Sequence, residues 1–361
     1  MRQTEKQNKN MQSLELQRQA MSQEEEVIRA ARQGGTVALR GSLTIRNPVI
    51  VDGAPGPVVL ESAPMAVQSE LFFEGKGCLI VRSGKLTLKS LKLASRGGGK
   101  RNANTRVVAV AGADAHLRIE ACEVICDAPS SDESPYPKNG FAAGVVAARG
   151  GSLSCHKSTF VSPGFQARGI VIKSGAQADI VDCIMRDCGS SAVWVTEKGS
   201  TASCSGLKVT RCGGYGSLYC TFGAQIIVRR STVTRGKYGI MALHEGSRMD
   251  CVDSEFAYNL WSGIASRWSG CGSVTRCRVH HNGANGFQIR KSCASGVIVK
   301  DSFDHDNHVD PLYAFKHRDL HCTEVARKGL PSRGISSAKV EGLELLQRVE
   351  RNKERIERKQ R

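Results

Sequence analysis

Apolar and polar residues alternate over short stretches of this chain, and the alternation restarts at a regular interval. HHNGANGFQIR at 280–290 and AYNLWSGIASR at 257–267 share one order of features, a turn-forming Asn or Gly, a further Gly, and then apolar residues at every second position. TRGKYGIMALH at 234–244 follows the same order more loosely. Period-2 alternation is typical of β-strands. Three copies in register indicate a repeat, and a repeat constrains the fold more strongly than any local feature.

Two sets of positions measure the period independently. Small residues precede the strands at steps of 25, 23, 24, 23, 24 and 23 residues: Gly144, Gly169, Ala192, Gly216, Gly239, Gly263 and Gly286. A second set lies between them, at steps of 25, 24, 24, 23, 23 and 25 residues: Ser158, Cys183, Leu207, Ser231, Ser254, Cys277 and Ser302. An apolar residue follows most of these by two positions: Phe160, Met185, Val209, Val233, Phe256 and Val279.

A period of 23 to 25 residues built from short strands and Gly/Asn turns excludes helical repeats, which are longer. Leucine-rich repeats have a similar length, but their leucine and asparagine framework is absent. The pattern therefore predicts an all-β fold, a right-handed parallel β-helix solenoid of about ten turns over residues 22–310. It also predicts one stacked inward ladder, formed by Ile170, Val193, Ile240, Ile264 and Phe287.

Two repeats carry a resemblance to a known superfamily. GIVIKSGAQADIVDCIMRDC and GIASRWSGCGSVTRCRVHHN resemble the right-handed β-helix repeats of the pectin-lyase-like superfamily. In style they are similar to its carbohydrate-binding-and-sugar-hydrolase repeats, which also occur in F-box substrate receptors and in NosD-type proteins. The resemblance covers about residues 35–310. It implies the fold and leaves function open, because the repeated positions serve packing and not chemistry.

The ends and interruptions of the repeat predict the remaining architecture. After a polar N-terminal extension at 1–21, Ser22 and Glu25 form a capping box for a helix that Gly34 and Gly35 end, and this helix would close the N-terminal end of the core. Two segments rich in turn-forming residues, 94–106 and 127–142, are predicted to be loops. An irregular segment at 311–335 and a charged helical tail at 336–361 follow the solenoid.

The period-2 alternation predicts which residues point outward from one ladder of strands. If the residue after each small residue points inward, the second and fourth residues point outward. The first outward row is then Val146, Val171, Trp194, Leu218, Met241, Ala265 and Gln288. The second is Ala148, Lys173, Thr196, Cys220, Leu243, Arg267 and Arg290. Neither row contains a carboxylate, whereas glycoside hydrolysis normally uses two carboxylates and lyases use a positioned base. The ladder therefore does not fit polysaccharide cleavage.

The outward rows contain a candidate binding face. Its apolar members are Trp194, Leu218, Met241 and Leu243, and its basic border is Lys173, Arg267 and Arg290. Either a loop or terminal segment of the same chain, such as 311–335, covers this strip, or it binds a protein partner. The main hypothesis is a non-enzymatic intracellular interaction scaffold with a protein partner and without a cofactor or metal.

The segment DSFDHDNHVDP at 301–311 supports an alternative. Asp304, His305, Asp306 and His308 could act as acid and base or bind a metal, which would make the chain a carbohydrate-active enzyme, a lyase or a hydrolase. The competing interpretation is a polar turn whose charges face water. The ligand spacing is not that of a known metal motif, so no metal is predicted from it.

Charge supports a second alternative. The net charge is +17 and the pI is about 9.4, and basic residues concentrate at 96–106 and 345–361. Such ends could contact RNA or another polyanion. In the tail, however, Glu alternates with Arg, as on an ordinary solvated helix.

The 14 cysteines and the N-terminus bear on location. No 18-residue apolar run is present, which excludes a helical membrane span. The polar N-terminus does not resemble a secretory signal, so an intracellular, cytoplasmic protein with reduced thiols is expected. Cys155, Cys204 and Cys251 follow the repeat, and no CxxC pair occurs, so the cysteines are interpreted as packing residues.

Overall fold

The architecture was established from a computed structural model, which describes residues 11, 21–64, 68–96, 106–127, 142–163 and 167–307. Most of the two predicted loops lies outside the described residues, as do the irregular segment at 311–335 and the charged tail at 336–361. The same holds for the N-terminal extension apart from residues 11 and 21.

Short strands form three parallel sheets that run along the whole described chain. Sheet I consists of β1 (Gly35–Leu39), β4 (Val58–Ser62), β7 (Gly84–Lys89), β10 (Ala115–Glu120), β13 (Ser152–His156), β16 (Gln177–Val181), β19 (Thr201–Ser205), β22 (Gln225–Arg229), β25 (Arg248–Val252), β28 (Cys271–Thr275) and β31 (Val297–Lys300). Sheet II consists of β2 (Ser42–Ile45), β5 (Glu70–Phe73), β8 (Lys92–Arg96), β11 (Glu123–Asp127), β14 (Thr159–Val161), β17 (Ile184–Arg186), β20 (Lys208–Thr210), β23 (Thr232–Thr234), β26 (Glu255–Ala257), β29 (Arg278–His280) and β32 (Phe303–His305). Sheet III consists of β3 (Pro48–Val51), β6 (Cys78–Val81), β9 (Arg106–Ala111), β12 (Ala143–Ala148), β15 (Arg168–Ile172), β18 (Val193–Thr196), β21 (Leu218–Thr221), β24 (Ile240–Leu243), β27 (Ile264–Arg267) and β30 (Phe287–Ile289). A short 3₁₀ helix, Lys291–Gly296, connects β30 to β31.

Each strand pairs in parallel with the strand three further along the chain, so every turn of the solenoid adds one strand to each sheet. The fold is a right-handed parallel β-helix of about ten turns, as predicted. The predicted inward ladder is confirmed: Ile170 pairs with Val193, and Ile264 pairs with both Ile240 and Phe287. These side chains are 4% exposed or less and belong to one continuous core.

In the middle and later turns, a residue with left-handed backbone recurs at the corners between consecutive strands. At the corner that leads from sheet III to sheet I, the column is Arg149, Ser174, Glu197, Phe222, His244 and Trp268, with φ between 49° and 73°. At the corner that leads from sheet II to sheet III, the column is Asp187, Arg211, Arg235, Tyr258, His281 and Asp306, with φ between 52° and 56°. Because one residue per turn repeats the same conformation, the corner side chains lie directly above one another.

A helix, α1, covers residues 21–33 and closes the N-terminal end of the core with Val27, Ala30 and Ala31. Gly34 ends it as predicted: its φ is +80°, and its amide donates to the Ala30 carbonyl at 2.8 Å. The predicted capping box is wrong, because Met21 is already helical and Ser22 therefore lies inside the helix. Among the described residues, no helix is long and apolar enough to cross a membrane.

Polar and sulfur side chains also stack in register inside the solenoid. Asn259 donates from Nδ2 to Asn282 Oδ1, and Asn282 donates in the same way to Asn307 Oδ1, both at 2.9 Å. Cys155, Cys204 and Cys251 are buried thiols that lie in the core, as predicted. Burial raises the pKa of the Cys183 thiol to about 11 and that of Cys155 well above its usual range, which suits a packing role.

Candidate functional site

The outward face of sheet III differs from the other outward faces because it is apolar and buried. We call its central residues the outer row: Val146, Val171, Trp194, Tyr219, Met241, Ala265 and Gln288. Trp194 is 6% exposed and Met241 is 1% exposed. Most of the outer row forms a second apolar cluster with Tyr238 and Leu243, separate from the core cluster of the solenoid. The predicted strip therefore exists, but it is covered in this structure.

One predicted member of the strip points the other way. Leu218 pairs with Val193 and Ile240 and belongs to the inward ladder, and Cys220 points inward with it. Tyr219 takes the outward position beside Trp194 instead. The prediction was wrong because it was anchored on Gly216, whereas Ser217 occupies the position equivalent to Ala192 and shifts the register by one residue.

Cations border the outer row, and they contact its aromatic rings. The Arg168 guanidinium lies 4.6 Å from the ring centre of Trp194, and burial lowers the pKa of Arg168 to about 10. Arg267 donates to the Tyr238 hydroxyl at 2.7 Å and also to Gln288. The three predicted border residues are all half-buried: Lys173, Arg267 and Arg290.

A second rim of the outer row contains aromatic side chains that the sequence did not single out. Lys237 Nζ lies 5.2 Å from the ring centres of both Tyr215 and Trp261, and Tyr215 is 44% exposed. Tyr238 packs against Trp261 with ring centres 5.4 Å apart. Burial lowers the pKa of Lys237 below its ordinary range. The rim thus combines aromatic faces with a cation held against them.

On the opposite side of sheet III, three rings lie one above another along a corner, which we call the aromatic corner: Phe222, His244 and Trp268. The Phe222 and His244 rings stack at 4.0 Å and 11°, whereas the His244 and Trp268 rings are 5.1 Å apart and tilted by 45°. Phe222 is 45% exposed and Trp268 is 54% exposed. Burial lowers the pKa of His244, which favours its neutral form. The sequence signal was one ring per repeat just before a turn glycine.

The Asp/His segment forms part of a larger group, which we call the histidine cluster: Glu255, His280, His281, His305 and Asp306. The His280 and His305 rings stack at 4.9 Å and 8°, and His280 Nε2 lies 2.9 Å from Glu255 Oε1. His305 Nδ1 lies 2.9 Å from Asp306 Oδ2, and hydrogen bonding to His305 lowers the pKa of Asp306.

The structure separates the residues predicted for this site. His305 and Asp306 enter the histidine cluster, together with three residues that the prediction missed. Asp304 takes the inward register above Val279 at the end of the stack and accepts a hydrogen bond from Asn307. His308 lies outside the described residues.

Carboxylates are absent from the described strands of sheet III, which agrees with the expectation from the outward rows. The paired carboxylates of a glycosidase are therefore not present on this face of the described solenoid. Acid and base groups concentrate instead in the histidine cluster.

Several solved structures are similar to this chain. No curated protein is significantly similar to the chain. Among solved structures, the periplasmic alginate epimerase AlgG is 14% identical with a TM-score of 0.39, covering 73% of this chain and 69% of its own. Tailspike protein 2 of Escherichia coli O157:H7 bacteriophage CAB120 is 11% identical with a TM-score of 0.44, covering 78% of this chain and 39% of its own. A mannuronic acid specific polysaccharide family 6 lyase from human gut microbiota is 10% identical with a TM-score of 0.37, covering 81% and 92%.

At such identities and TM-scores these similarities do not bear on this chain's activity. The family model described as right handed beta helix region matches residues 143–310. The repeats that the sequence predicted and the three stacked parallel sheets agree with that match. The described part of the chain is a right-handed β-helix whose strands extend from Gly35 to His305, and residues 143–310 of it are similar to this family model.

Proposed function

We propose that this chain binds a carbohydrate polymer along the aromatic corner. The observation that carries the proposal is the column of Phe222, His244 and Trp268, whose rings contact one another and include two that are about half exposed. Exposed aromatic groups of this kind mark binding sites on soluble proteins. Sugar rings present apolar C–H faces that pack on aromatic rings, and a polymer repeats that face along its length.

The spacing of the corner suits a repeating ligand. Consecutive turns of a parallel sheet are about 4.8 Å apart, so each turn offers a ring at a short, regular interval. Hydrogen bonds fix the backbone here: the Gly223 amide donates to Ser247 Oγ at 3.1 Å, and Ser247 Oγ donates to the Leu243 carbonyl at 2.6 Å. The platform is thus ordered before ligand arrives, which lowers the entropic cost of binding.

Polar side chains beside the rings can bind hydroxyl groups. Glu197, Lys198 and Glu245 are exposed on the same corner turns. Their charges have both signs, so this corner does not by itself select an acidic polymer over a neutral one. The net charge of +17 adds a general attraction for polyanions.

A protein-binding scaffold is the second candidate, and the outer row is the observation that favours it. Val171, Trp194, Tyr219 and Met241 belong to one apolar cluster, and its Trp, Tyr and Met side chains are residue types enriched in interfaces. A partner would require this covered surface to open, however, whereas the aromatic corner is already exposed. For this reason carbohydrate binding is the stronger proposal.

The test is affinity electrophoresis and calorimetry with soluble alginate, polygalacturonate, xylan and mixed-linkage glucan. We expect at least one polymer to bind, and Phe222→Ala combined with Trp268→Ala to weaken binding at least tenfold. Tyr258→Ala is the matched control, because Tyr258 is 49% exposed and has φ of 55° at another corner. The proposal fails if none of these polymers binds, or if the control weakens binding as much as the double variant.

The same incubations distinguish binding from cleavage. Because the described strands of sheet III lack carboxylates, we expect binding without release of reducing or unsaturated ends. Release of such ends that is lost in Asp306→Asn would instead support a carbohydrate-active enzyme with its acid and base in the histidine cluster.

A further inference from the structure

We propose that His281, His305 and Asp306 form a binding site for a zinc ion at the C-terminal end of the described solenoid. The site is independent of the proposed carbohydrate function and lies at a different corner from the aromatic one. One ligand atom of each residue lies within 4.8 Å of the ligand atoms of the other two.

The distances are close to those of a coordination sphere. His281 Nε2 lies 3.9 Å from Asp306 Oδ2, and His305 Nδ1 lies 2.9 Å from the same oxygen. Two ligands of a tetrahedral zinc ion, each bonded at about 2.0 Å, are separated by roughly 3.3 Å. Both measured distances differ from this separation by less than about 1 Å, so small side-chain movements would allow zinc coordination, and the metal would replace the proton between His305 and Asp306.

The fold holds the three ligands on adjacent turns. His281 and Asp306 occupy equivalent corner positions, with φ of 52° and 53°, and His305 ends β32. Directly after these two ligands come Asn282 and Asn307, where the Asn282 amide donates to Asn307 Oδ1 at 2.9 Å, and the asparagine ladder continues to Asn259. The backbone at both corner ligands is therefore fixed from inside the solenoid.

Glu255, acting through His280, fixes the tautomer of the ligand His281. If His280 donates from Nε2 to Glu255, at 2.9 Å, its Nδ1 is an acceptor. The 2.8 Å contact between the two Nδ1 atoms then assigns the proton to His281, and its lone pair lies on Nε2, the atom that faces Asp306. Ligating histidines in metalloproteins characteristically have such a partner, which fixes the tautomer.

The donor set selects the class of metal. Two imidazoles and one carboxylate suit zinc and related transition metals, whereas calcium and magnesium prefer sites built from oxygen ligands. Three protein ligands leave a fourth position for water, as in catalytic zinc sites. A polar turn that only faces water would show no such selectivity, so selectivity is the property to measure.

The experiment titrates the full chain, treated with chelator and kept reduced, with zinc sulfate by calorimetry. We expect one zinc ion per chain, calcium chloride to be far weaker, and zinc to raise the melting temperature. His281→Asn and His305→Gln should each lower zinc affinity at least 100-fold. Asn suits the left-handed backbone at 281, so the first variant is expected to fold. Glu255→Gln should weaken affinity about 10-fold, as loss of an outer partner does.

His156→Gln is the matched control, because His156 lies on sheet I, where it contacts Ser154 at 2.8 Å. It should bind zinc and carbohydrate as the parent chain does. His281→Asn should also keep carbohydrate binding, so failure of the zinc site and failure of the carbohydrate proposal are distinguishable. Absence of stoichiometric uptake, equal uptake by His281→Asn and the parent, or equal affinity for calcium would each overturn the zinc site.

Discussion

Sheets I and III share one core but differ on their outward faces. In sheet I, burial alternates along each strand, so that in β16 Ala178 and Ile180 are buried while Gln177 and Asp179 are exposed. In sheet III every residue of β15, β18, β21 and β24 is buried. A parallel sheet that is covered on both faces reads as a continuous apolar run, and one with a solvated face alternates.

The contrast shows which residues carry the information about function. Inward residues of both sheets are mostly aliphatic or sulfur side chains, and they specify only the stack. Outward residues distinguish the faces: Val-Trp-Val-Thr in β18 belongs to a covered face, and Thr-Ala-Ser-Cys-Ser in β19 belongs to an open one. The exposed chemistry lies at the corners, where stacked side chains form the aromatic corner and part of the histidine cluster.

The strongest test of this contrast places a carboxylate on each face in turn. Ile264→Asp would bury an unpaired charge in the core, and we expect it to abolish cooperative folding. Ala265→Asp, on the outward face of the same strand, should destabilise the chain by several kcal/mol, on the order of 3, because Ala265 is also buried. Gln177→Asp, on the open face of sheet I, should change stability by less than about 0.5 kcal/mol.

Urea unfolding followed by circular dichroism measures all three variants. If Ala265→Asp were tolerated as well as Gln177→Asp, the outward face of sheet III would be open to water, and the comparison between the two sheets would not hold.

The stack itself could be predicted because its positions are repeated. Each inward residue must fit the residues above and below it, so spacing alone identified the core ladder and the alternation in β14, β17 and β20. Cys155, Cys204 and Cys251 followed the same period and lie in the core. The same packing requirement recurs in every turn, so the fold can be predicted from a single sequence.

The candidate site was less predictable than the stack because the positions that form it do not keep the same residue type from turn to turn. Gly216 and Ser217 are both small, so the sequence alone did not decide between Leu218 and Tyr219 as the outward residue. Burial of the outer row depends on tertiary contacts, and the alternation of residues within strands does not reveal these contacts. Corner positions accept many residue types, so Phe222, His244 and Trp268 carried little signal individually. The intracellular location stays a prediction.

Truncation of a side chain in the outer row is expected to have a smaller effect on stability than Ile264→Asp. Trp194→Ala removes a ring that is 6% exposed, its hydrogen bond from Nε1 to Thr221 Oγ1 at 3.1 Å and its contact with Arg168. We expect a loss of about 3 kcal/mol in the free energy of unfolding. Ile227→Ala, at a half-buried outward position of sheet I, should cost less than about 1 kcal/mol.

Trp194→Phe keeps much of the packing and isolates the hydrogen bond, for which about 1 kcal/mol is expected. Chemical denaturation gives each value. An unchanged stability of Trp194→Ala would mean that the ring is free in solution and would restore the outer row as an open binding face.

The smallest expected effect concerns an ion pair on the open face of sheet I. Asp250 accepts hydrogen bonds from Arg248 at 2.7 and 2.8 Å and from Ser273 Oγ at 2.6 Å. Burial of the carboxyl group acts to raise its pKa, but the hydrogen bonds from Arg248 and Ser273 outweigh burial, and the pKa is lowered.

A depressed carboxylate pKa stabilises the folded chain fully above the ordinary value of about 3.9, and this stabilisation is lost as pH falls through the folded-state pKa. Asp250→Asn should therefore cost about 1 kcal/mol at pH 7, since the pair is partly solvated, and nearly nothing at the lowest pH at which both chains remain folded. Urea unfolding of both chains between pH 7 and that limit measures the difference, and a cost that does not change with pH would show that Asp250 acts through packing and not through its charge.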